Sequence, residues 1–276
     1  LVFFDGAMGT MLQAKGWDGS LPPEVCNIVN PQLVEEVHQA YADAGADIIT
    51  ANTFGANSLK MRPLGYSADE VVRQGVALAR RAAGSRPVAL DIGPLGQLMA
   101  PMGTLSFQEA YQHFAAHAKA GMEAGADLIL IETMSDLHEA KIAVLAAKEQ
   151  TSLPVICSLT FQKNGRTIMG NDPLTVVTVL EALGADAIGV NCSLGPEELL
   201  DVVGSLTRHA HVPVLVQANA GLPQVADGKV TYPVGPAAFA ESAEMMARMG
   251  VKMLGGCCGT SPEYIKALRN RVGNCQ

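Results

Sequence analysis

Aromatic and charged side chains are both scarce in this sequence of 276 residues. Aromatic residues make up 5% of the chain and charged residues 17%, whereas hydrophobic residues reach 49%. This composition excludes an intrinsically disordered chain, because such chains combine few hydrophobic residues with many charges. The small aliphatic residues that dominate instead are typical of parallel strands covered by helices. The sequence therefore predicts an α/β protein with a large core.

Basic residues and long apolar runs are few as well. The chain has 19 Lys and Arg against 27 Asp and Glu, a formal net charge of −8, and its basic residues form no cluster. Because nucleic-acid surfaces need clustered positive charge, we expect no nucleic-acid partner. No apolar run approaches the roughly 20 residues of a membrane-spanning helix, so we expect no membrane partner. Phosphate-binding and dinucleotide-binding glycine motifs are also absent, which argues against a nucleotide cofactor.

The six cysteines point to reduced thiols rather than to disulfides. A chain of this length buries enough apolar surface to fold without covalent cross-links, so we expect a cytoplasmic protein. Buried cysteine usually behaves as a small hydrophobic residue, and we assign that role to Cys26, Cys157 and Cys275. The other three, Cys192, Cys257 and Cys258, lie in a different sequence context.

A junction recurs along the chain, in which a helix-like segment ends at Gly and a short apolar run follows. Residues 44–49, 124–129 and 183–188 are three copies of it. The Gly suits a left-handed helix C-cap, and the apolar run is short enough for a buried strand. This pattern, Pro-marked equivalents and the opening apolar run predict eight strands, near residues 1–5, 46–52, 87–91, 126–132, 154–160, 186–191, 213–218 and 251–256. Helices are predicted at 31–43, 67–83, 106–123, 136–149, 173–183, 196–208, 236–248 and 262–271.

Eight strand–helix units without a linker predict a single (β/α)8 barrel over residues 1–276. Active sites of such barrels lie at the carboxyl ends of the strands. Polar and thiol side chains gather at this end of the predicted strands. They are Asp5, Asn52, Asp91, Glu132, Thr160, Asn191, Cys192, Asn219, Cys257 and Cys258.

Three of these strand-end residues could form a metal site. Cys192 ends the sixth predicted strand, and the adjacent pair Cys257 and Cys258 ends the eighth. Three thiolates are a good ligand set for zinc, and three protein ligands leave a fourth position open, as in catalytic sites. A structural four-cysteine zinc site would need a fourth Cys on a matching strand end, and no predicted strand end carries one. By themselves the residues leave two interpretations open, metal ligation and simple burial as small hydrophobic groups.

Seven motifs resemble the homocysteine S-methyltransferase family and follow its order along the chain. They are residues 5–10 (DGAMGT), 52–57 (NTFGAN), 91–94 (DIGP), 132–133 (ET), 189–193 (GVNCS), 219–221 (NAG) and 255–260 (GGCCGT). The resemblance implies a (β/α)8 barrel with Zn²⁺ bound by Cys192, Cys257 and Cys258. It also implies methyl transfer to the thiol of homocysteine, giving methionine.

The same resemblance assigns homocysteine contacts to Asp5, Gly6 and Glu132. Asp5 or Glu132 is expected to bind the substrate ammonium, and backbone N–H groups near Gly6 or Ser193 the carboxylate. Asn219 could offer its amide oxygen to zinc before substrate binds. Alternative interpretations stay open, since either acid could cap a following helix and Asn219 could order a loop.

The residues after the cysteine pair bear on the methyl donor. Gly259 and Thr260 resemble the cobalamin-dependent branch of the family, whereas members that use S-methylmethionine tend to carry Arg at the Gly259 position. The resemblance therefore implies methylcobalamin, held by a cobalamin-binding domain or protein, with a folate-binding domain as a further partner. The alternatives are S-methylmethionine or another small methyl donor, or a thiol-binding module that does not turn over on its own.

Overall fold

Eight parallel strands form one curled sheet in the computed structural model, which describes residues 1–226 and 229–273. The strands are β1 (Val2–Phe3), β2 (Ile49–Thr50), β3 (Val88–Ile92), β4 (Leu128–Met134), β5 (Val155–Leu159), β6 (Ala187–Asn191) and β7 (Val214–Ala218), then a separate antiparallel hairpin of β8 (Gln224–Ala226) and β9 (Lys229–Thr231), and finally β10 (Met253–Gly256). All eight predicted strands are therefore confirmed. The hairpin was not predicted.

Helices alternate with the strands, as the recurring junctions predict. They are α1 (Gly9–Ala14), α2 (Cys26–Val29), α3 (Pro31–Ala44), α4 (Ser58–Met61), α5 (Ala68–Ala83), α6 (Phe107–Glu123), α7 (Leu137–Gln150), α8 (Pro173–Ala182), α9 (Leu200–His209), α10 (Pro236–Arg248) and α11 (Pro262–Val272), with two 3₁₀ turns at Pro23–Val25 and Arg62–Leu64. The eight long helices match the predicted ones. The helix expected at 196–208 begins later, because residues 196–199 form turns.

The strand order in the sheet is β1-β10-β7-β6-β5-β4-β3-β2. Phe4, which follows β1, and Ile48, which precedes β2, form a parallel bridge, and the N–H of Asp47 donates to the carbonyl of Phe3 at 2.7 Å. Together with the alternating helices, this is a TIM-barrel-like α/β architecture. Parallel pairing brings the carboxyl ends of all eight strands to one face.

Local sequence signals explain the element ends. Ser106 caps α6 in a capping box with Glu109, as the Ser-x-x-Glu spacing predicts. Gly45 ends α3 in a left-handed conformation with φ 97°. The short helices α1, α2 and α4 escaped prediction because fewer than two turns give no measurable apolar period.

Side chains inside the curled sheet change character along the strands. Ala89, Leu130 and Leu215 belong to a buried apolar cluster within it. Because strand side chains alternate between faces, the residue two positions on points to the same side. Those residues are Asp91 after Ala89, Glu132 after Leu130 and Gln217 after Leu215. The interior of the sheet is therefore apolar towards the amino ends of the strands and polar at their carboxyl ends.

The five cysteines within the described residues are all free thiols. Cys26 and Cys157 are fully buried, in agreement with their predicted role as small hydrophobic residues. Burial raises the pKa of both thiols above that of free cysteine. Cys275 lies outside the described residues. No helix in the described part of the chain has the length and apolar character of a membrane span.

Candidate metal and substrate site

A cavity of about 1280 Å³ opens at the carboxyl ends of the strands. We call it the strand-end cavity. Six of the predicted site residues line it, namely Asp5, Gly6, Glu132, Cys192, Cys257 and Cys258. Ser193 directly follows the lining residue Cys192, and Asn219 contacts Cys192, but neither lines the cavity itself. Most of the predicted site is therefore brought together around one space.

Cys192, Cys257 and Cys258 form a cluster with all three Sγ atoms within 4.8 Å of one another. We call it the thiol cluster. The Sγ atoms of Cys192 and Cys258 are 3.9 Å apart. Neighbouring strands position the cluster, because the N–H of Cys192 donates to the carbonyl of Gln217 at 3.0 Å and that of Cys257 to Ala218 at 2.8 Å. This spacing suits three ligands of one metal ion.

The backbone turns sharply at Cys192 and Ser193, with φ values of 54° and 60°. Such left-handed conformations are rare for residues other than glycine and often occur at functional sites. The hydroxyl of Ser193 donates to the carbonyl of Cys192 at 2.7 Å. The side chain of Ser193 is thus engaged in the turn, and its backbone N–H hydrogen-bonds to the thiol of Cys192.

Of the three thiols in the cluster, only that of Cys192 loses its proton readily. Hydrogen bonds from Cys257 and Cys258, together with a contact from Asn219, lower the pKa of Cys192 to about 3. The same hydrogen bonds to Cys192 are the first reason why the pKa values of Cys257 and Cys258 are raised. Losing the second and third protons places like charges in contact. A cation in the cluster would offset that repulsion.

Two carboxyl groups face the same cavity. Both oxygens of Asp5 accept hydrogen bonds from Thr50, at 2.7 Å from its N–H and 2.7 Å from its hydroxyl. Burial raises the pKa of Asp5 to about 7. Burial, and then the negative charges of Cys192 and Asp5, raise the pKa of Glu132 to about 8. Both groups would be better ionised beside a bound cation such as an ammonium.

Close backbone approach explains the glycine at position 6. A Cβ atom there would lie 2.7 Å from Oγ1 of Thr260 and 2.8 Å from the hydroxyl of Tyr41. The next residue, Ala7, donates its N–H to Oγ1 of Thr260 at 3.2 Å. Gly6 therefore lets the segment after β1 pack against the segment that carries the cysteine pair.

Asn191 ties three strand ends together beneath the site. Its Oδ1 accepts the N–H of Thr133 at 2.8 Å and the hydroxyl of Ser158 at 2.7 Å. Its Nδ2 donates to Oγ1 of Thr133 at 2.7 Å. Thr133 has φ 59° and directly follows Glu132, so this network holds the backbone that presents the Glu132 carboxyl.

Gln217 and Tyr232 line the cavity but were not predicted as site residues. The alternation along β7 could have indicated Gln217, which is two positions before Asn219. Nothing in the sequence indicated Tyr232, which follows the hairpin strand β9. Its ring packs directly on Gly259, where an added Cβ atom would overlap Cγ of Tyr232.

This contact gives a testable prediction for Gly259→Ala. The residue has φ 80°, so alanine would meet both backbone strain and the Tyr232 ring. We expect the free energy of unfolding in urea to fall by about 2–4 kcal/mol. Gly165→Ala is the matched control, because Gly165 has φ 74° with no atom within 4 Å of its Cβ position. It should lose only about 1 kcal/mol.

A double variant separates the two contributions at Gly259. In Tyr232→Ala the ring is absent, so adding Gly259→Ala should then lower stability about as little as the Gly165 control does. If Gly259→Ala lowers the free energy of unfolding by the same amount with and without the Tyr232 ring, the packing of that ring is not the reason for a glycine at position 259.

Sequence and structure comparisons show which known proteins this chain resembles. A sequence model of the family described as homocysteine S-methyltransferase matches residues 2–272. The methionine synthase of Mycobacterium tuberculosis is 35% identical over 293 residues, which cover 98% of this chain and 24% of that protein. The methionine synthase of Mycobacterium leprae is 32% identical over 294 residues, again covering 98% and 24%. The chain thus spans about a quarter of the length of these relatives.

Solved structures show the same fold. The metallated form of the homocysteine methyltransferase MmuM from Escherichia coli has a TM-score of 0.84 at 24% identity, covering 98% of this chain and 96% of that one. Its apo form has a TM-score of 0.79 at 25% identity, covering 98% and 95%. The sequence match runs from the first strand through the last helix, and on that ground the chain belongs to the homocysteine S-methyltransferase family.

Proposed function

We propose that this chain binds homocysteine and transfers a methyl group to its thiol, giving methionine, as one domain of a cobalamin-dependent methionine synthase. The observation that carries the proposal is the thiol cluster, which lies in a cavity that also holds Asp5 and Glu132. Methyl transfer to sulfur requires a thiolate, since the neutral thiol is a poor nucleophile. The proposal accounts for a cluster of thiols beside acidic groups.

The donor set fits zinc. Three thiol sulfurs within 4.8 Å are a preferred ligand set for this ion. Asn219 supports a fourth ligand, because its Oδ1 is buried and has no hydrogen-bond partner among the described residues. We therefore assign Zn²⁺ to Cys192, Cys257 and Cys258, with Asn219 available before substrate binds. Zinc, when bound, lowers the pKa of a coordinated thiol and so supplies the nucleophilic thiolate.

The remaining cavity residues orient the substrate. Asp5 and Glu132 would hold the ammonium of homocysteine, because burial raises the pKa of each carboxyl and a bound cation would favour its ionised form. The described lining contains no Lys, Arg or His, so the substrate carboxylate is left to backbone N–H groups near Gly6 or Ser193. Binding at both ends places the thiol of the amino acid towards the thiol cluster.

We further propose methylcobalamin as donor, held by another domain or protein, with a folate-binding domain as a further partner. The similarity to methionine synthases supports this, because the chain covers only 24% of each. The packing at Gly259 supports it too. Tyr232 leaves no room at this position for Arg, the residue that members using S-methylmethionine tend to carry.

Residues 1–276 are proposed as a single domain whose sheet closes into a complete (β/α)8 barrel. The bridge between Phe4 and Ile48 supports closure. So do the hydrogen bonds from the N–H groups of Asp47 and Ile48 to the carbonyl of Phe3, at 2.7 and 3.2 Å. These contacts join the strands at the two ends of the sheet order.

The test of this function is turnover by the isolated chain. Zinc-loaded protein is mixed with homocysteine and free methylcobalamin, and methionine is measured by mass spectrometry. We expect slow but zinc-dependent methionine formation, and none with S-methylmethionine as the donor. A faster reaction with S-methylmethionine would contradict the cobalamin assignment. Homocysteine binding without turnover by either donor would support a thiol-binding module instead.

A further inference from the structure

The strand-end cavity is lined by four acidic side chains, Asp5, Glu24, Asp91 and Glu132. Two of them already have partners within the fold. Asp5 accepts two hydrogen bonds from Thr50, and Glu24 accepts one from a backbone N–H at 2.7 Å. Asp91 differs from both. It is only 7% exposed, and its Oδ1 is buried without a hydrogen-bond partner in the described part of the chain.

The fold holds Asp91 by its backbone rather than by its side chain. Oγ1 of Thr53 donates to the carbonyl of Asp91 at 2.8 Å and accepts its N–H at 3.0 Å. A buried carboxyl oxygen without a partner is unfavourable and uncommon in native structures, so its presence calls for an explanation such as a bound ligand. Its position on the inner face of β3, two residues after Ala89, directs this carboxyl to the cavity.

We propose that Asp91 is a third carboxyl contact for the amino group of the bound amino acid, beside Asp5 and Glu132. This inference rests on the proposed function, in which the cavity binds homocysteine. A primary ammonium has three N–H donors, and three carboxyl groups supply one acceptor for each. Asp91 would then make the site select thiols that carry an amino group over thiols that lack one.

The charge balance of the cavity supports this role. Burial raises the pKa of Asp91 well above its usual range, and the negative charges of Glu132, Glu24 and Asp5 raise it further. A cation bound among these groups offsets the repulsion between them. The acidic side chains that face the cavity repel one another, and the ammonium is the part of the substrate that offsets this repulsion.

The experiment compares two thiols by calorimetry on zinc-loaded protein. L-homocysteine carries the amino group, whereas 4-mercaptobutyrate has the same thiol and carboxylate without it. In Asp91→Asn we expect homocysteine affinity to fall at least ~10-fold, because a charged hydrogen bond is lost. The affinity for 4-mercaptobutyrate and the zinc content should stay unchanged. Asp91→Ser, which removes the carboxyl in a different way, should give the same pattern.

Asp201→Asn is the matched control, since Asp201 is exposed on α9. This substitution removes the same charge at a position away from the cavity. It should change neither affinity. If the Asp91 variants weaken the binding of both thiols equally, or of neither, the proposed contact with the amino group is wrong. Homocysteine binding by the wild-type chain would be unaffected by that result. If the wild-type chain binds both thiols equally well, the selection for an amino group and the substrate assignment fail together.

Discussion

Cys258→Ala is expected to remove most of the bound zinc and nearly all methyl transfer, and Cys192→Ala and Cys257→Ala should do the same. The three Sγ atoms lie within 4.8 Å of one another, so each removal leaves two thiols. Loss of a direct ligand should weaken zinc at least ~100-fold, since even outer-shell changes weaken metal sites by about 10- to 100-fold. Zinc content after dialysis and competition with a chelator measure the effect.

The other cysteines are the controls for this result. Cys26→Ala and Cys157→Ala remove thiols that are more deeply buried than those of the cluster and do not line the strand-end cavity. They should lower stability slightly and leave zinc content unchanged. Cys275→Ala, at a position outside the described residues, should also retain zinc. Full zinc occupancy in any one of the three cluster variants would contradict that residue's assignment as a ligand.

Glu132→Ala is expected to weaken homocysteine binding far more than zinc binding. Glu132 lines the cavity at the end of β4, where burial, and then the negative charges of Cys192 and Asp5, raise its pKa. Loss of a desolvated partner for the substrate ammonium should weaken affinity by about 30-fold or more, which corresponds to roughly 2 kcal/mol. Calorimetric titration with homocysteine, alongside metal analysis, measures both effects.

Two variants sharpen the interpretation of that experiment. Glu132→Gln keeps the size of the side chain and removes its charge, so it should weaken homocysteine binding nearly as much as Glu132→Ala does. Glu241→Gln removes the same charge from α10, where the side chain is 66% exposed, and should have no effect. Zinc loss with unchanged homocysteine affinity in Glu132→Ala would show that the residue serves the metal site rather than the substrate.

Much of the architecture was predictable because its signals are local. The apolar runs that follow Gly-marked or Pro-marked junctions, together with the opening run of the chain, predicted eight strands, and all eight are present. Helix ends followed from single residues, such as Ser106 with Glu109 at α6 and Gly45 after α3. Elements without such signals were missed, namely the short helices and the hairpin of β8 and β9.

The candidate site divides in the same way. The thiols of Cys192, Cys257 and Cys258 were predictable from the strand ends, because parallel pairing brings those ends to one face. Tyr232 was not, because its contact with Gly259 depends on how the hairpin segment folds back over the cavity. Gln217 required knowing which face of β7 turns inward.

The sequence by itself determined the eight strand–helix units, the rim where polar groups gather and the three thiols, because periodicity, caps and strand ends depend on neighbouring residues. Only the tertiary structure decided which of the clustered acids is already satisfied and which is not. Thr50 engages both oxygens of Asp5, whereas Thr53 engages only the backbone of Asp91. Hydrogen-bond partners of this kind come from segments that are distant in the sequence, so local sequence patterns do not predict them.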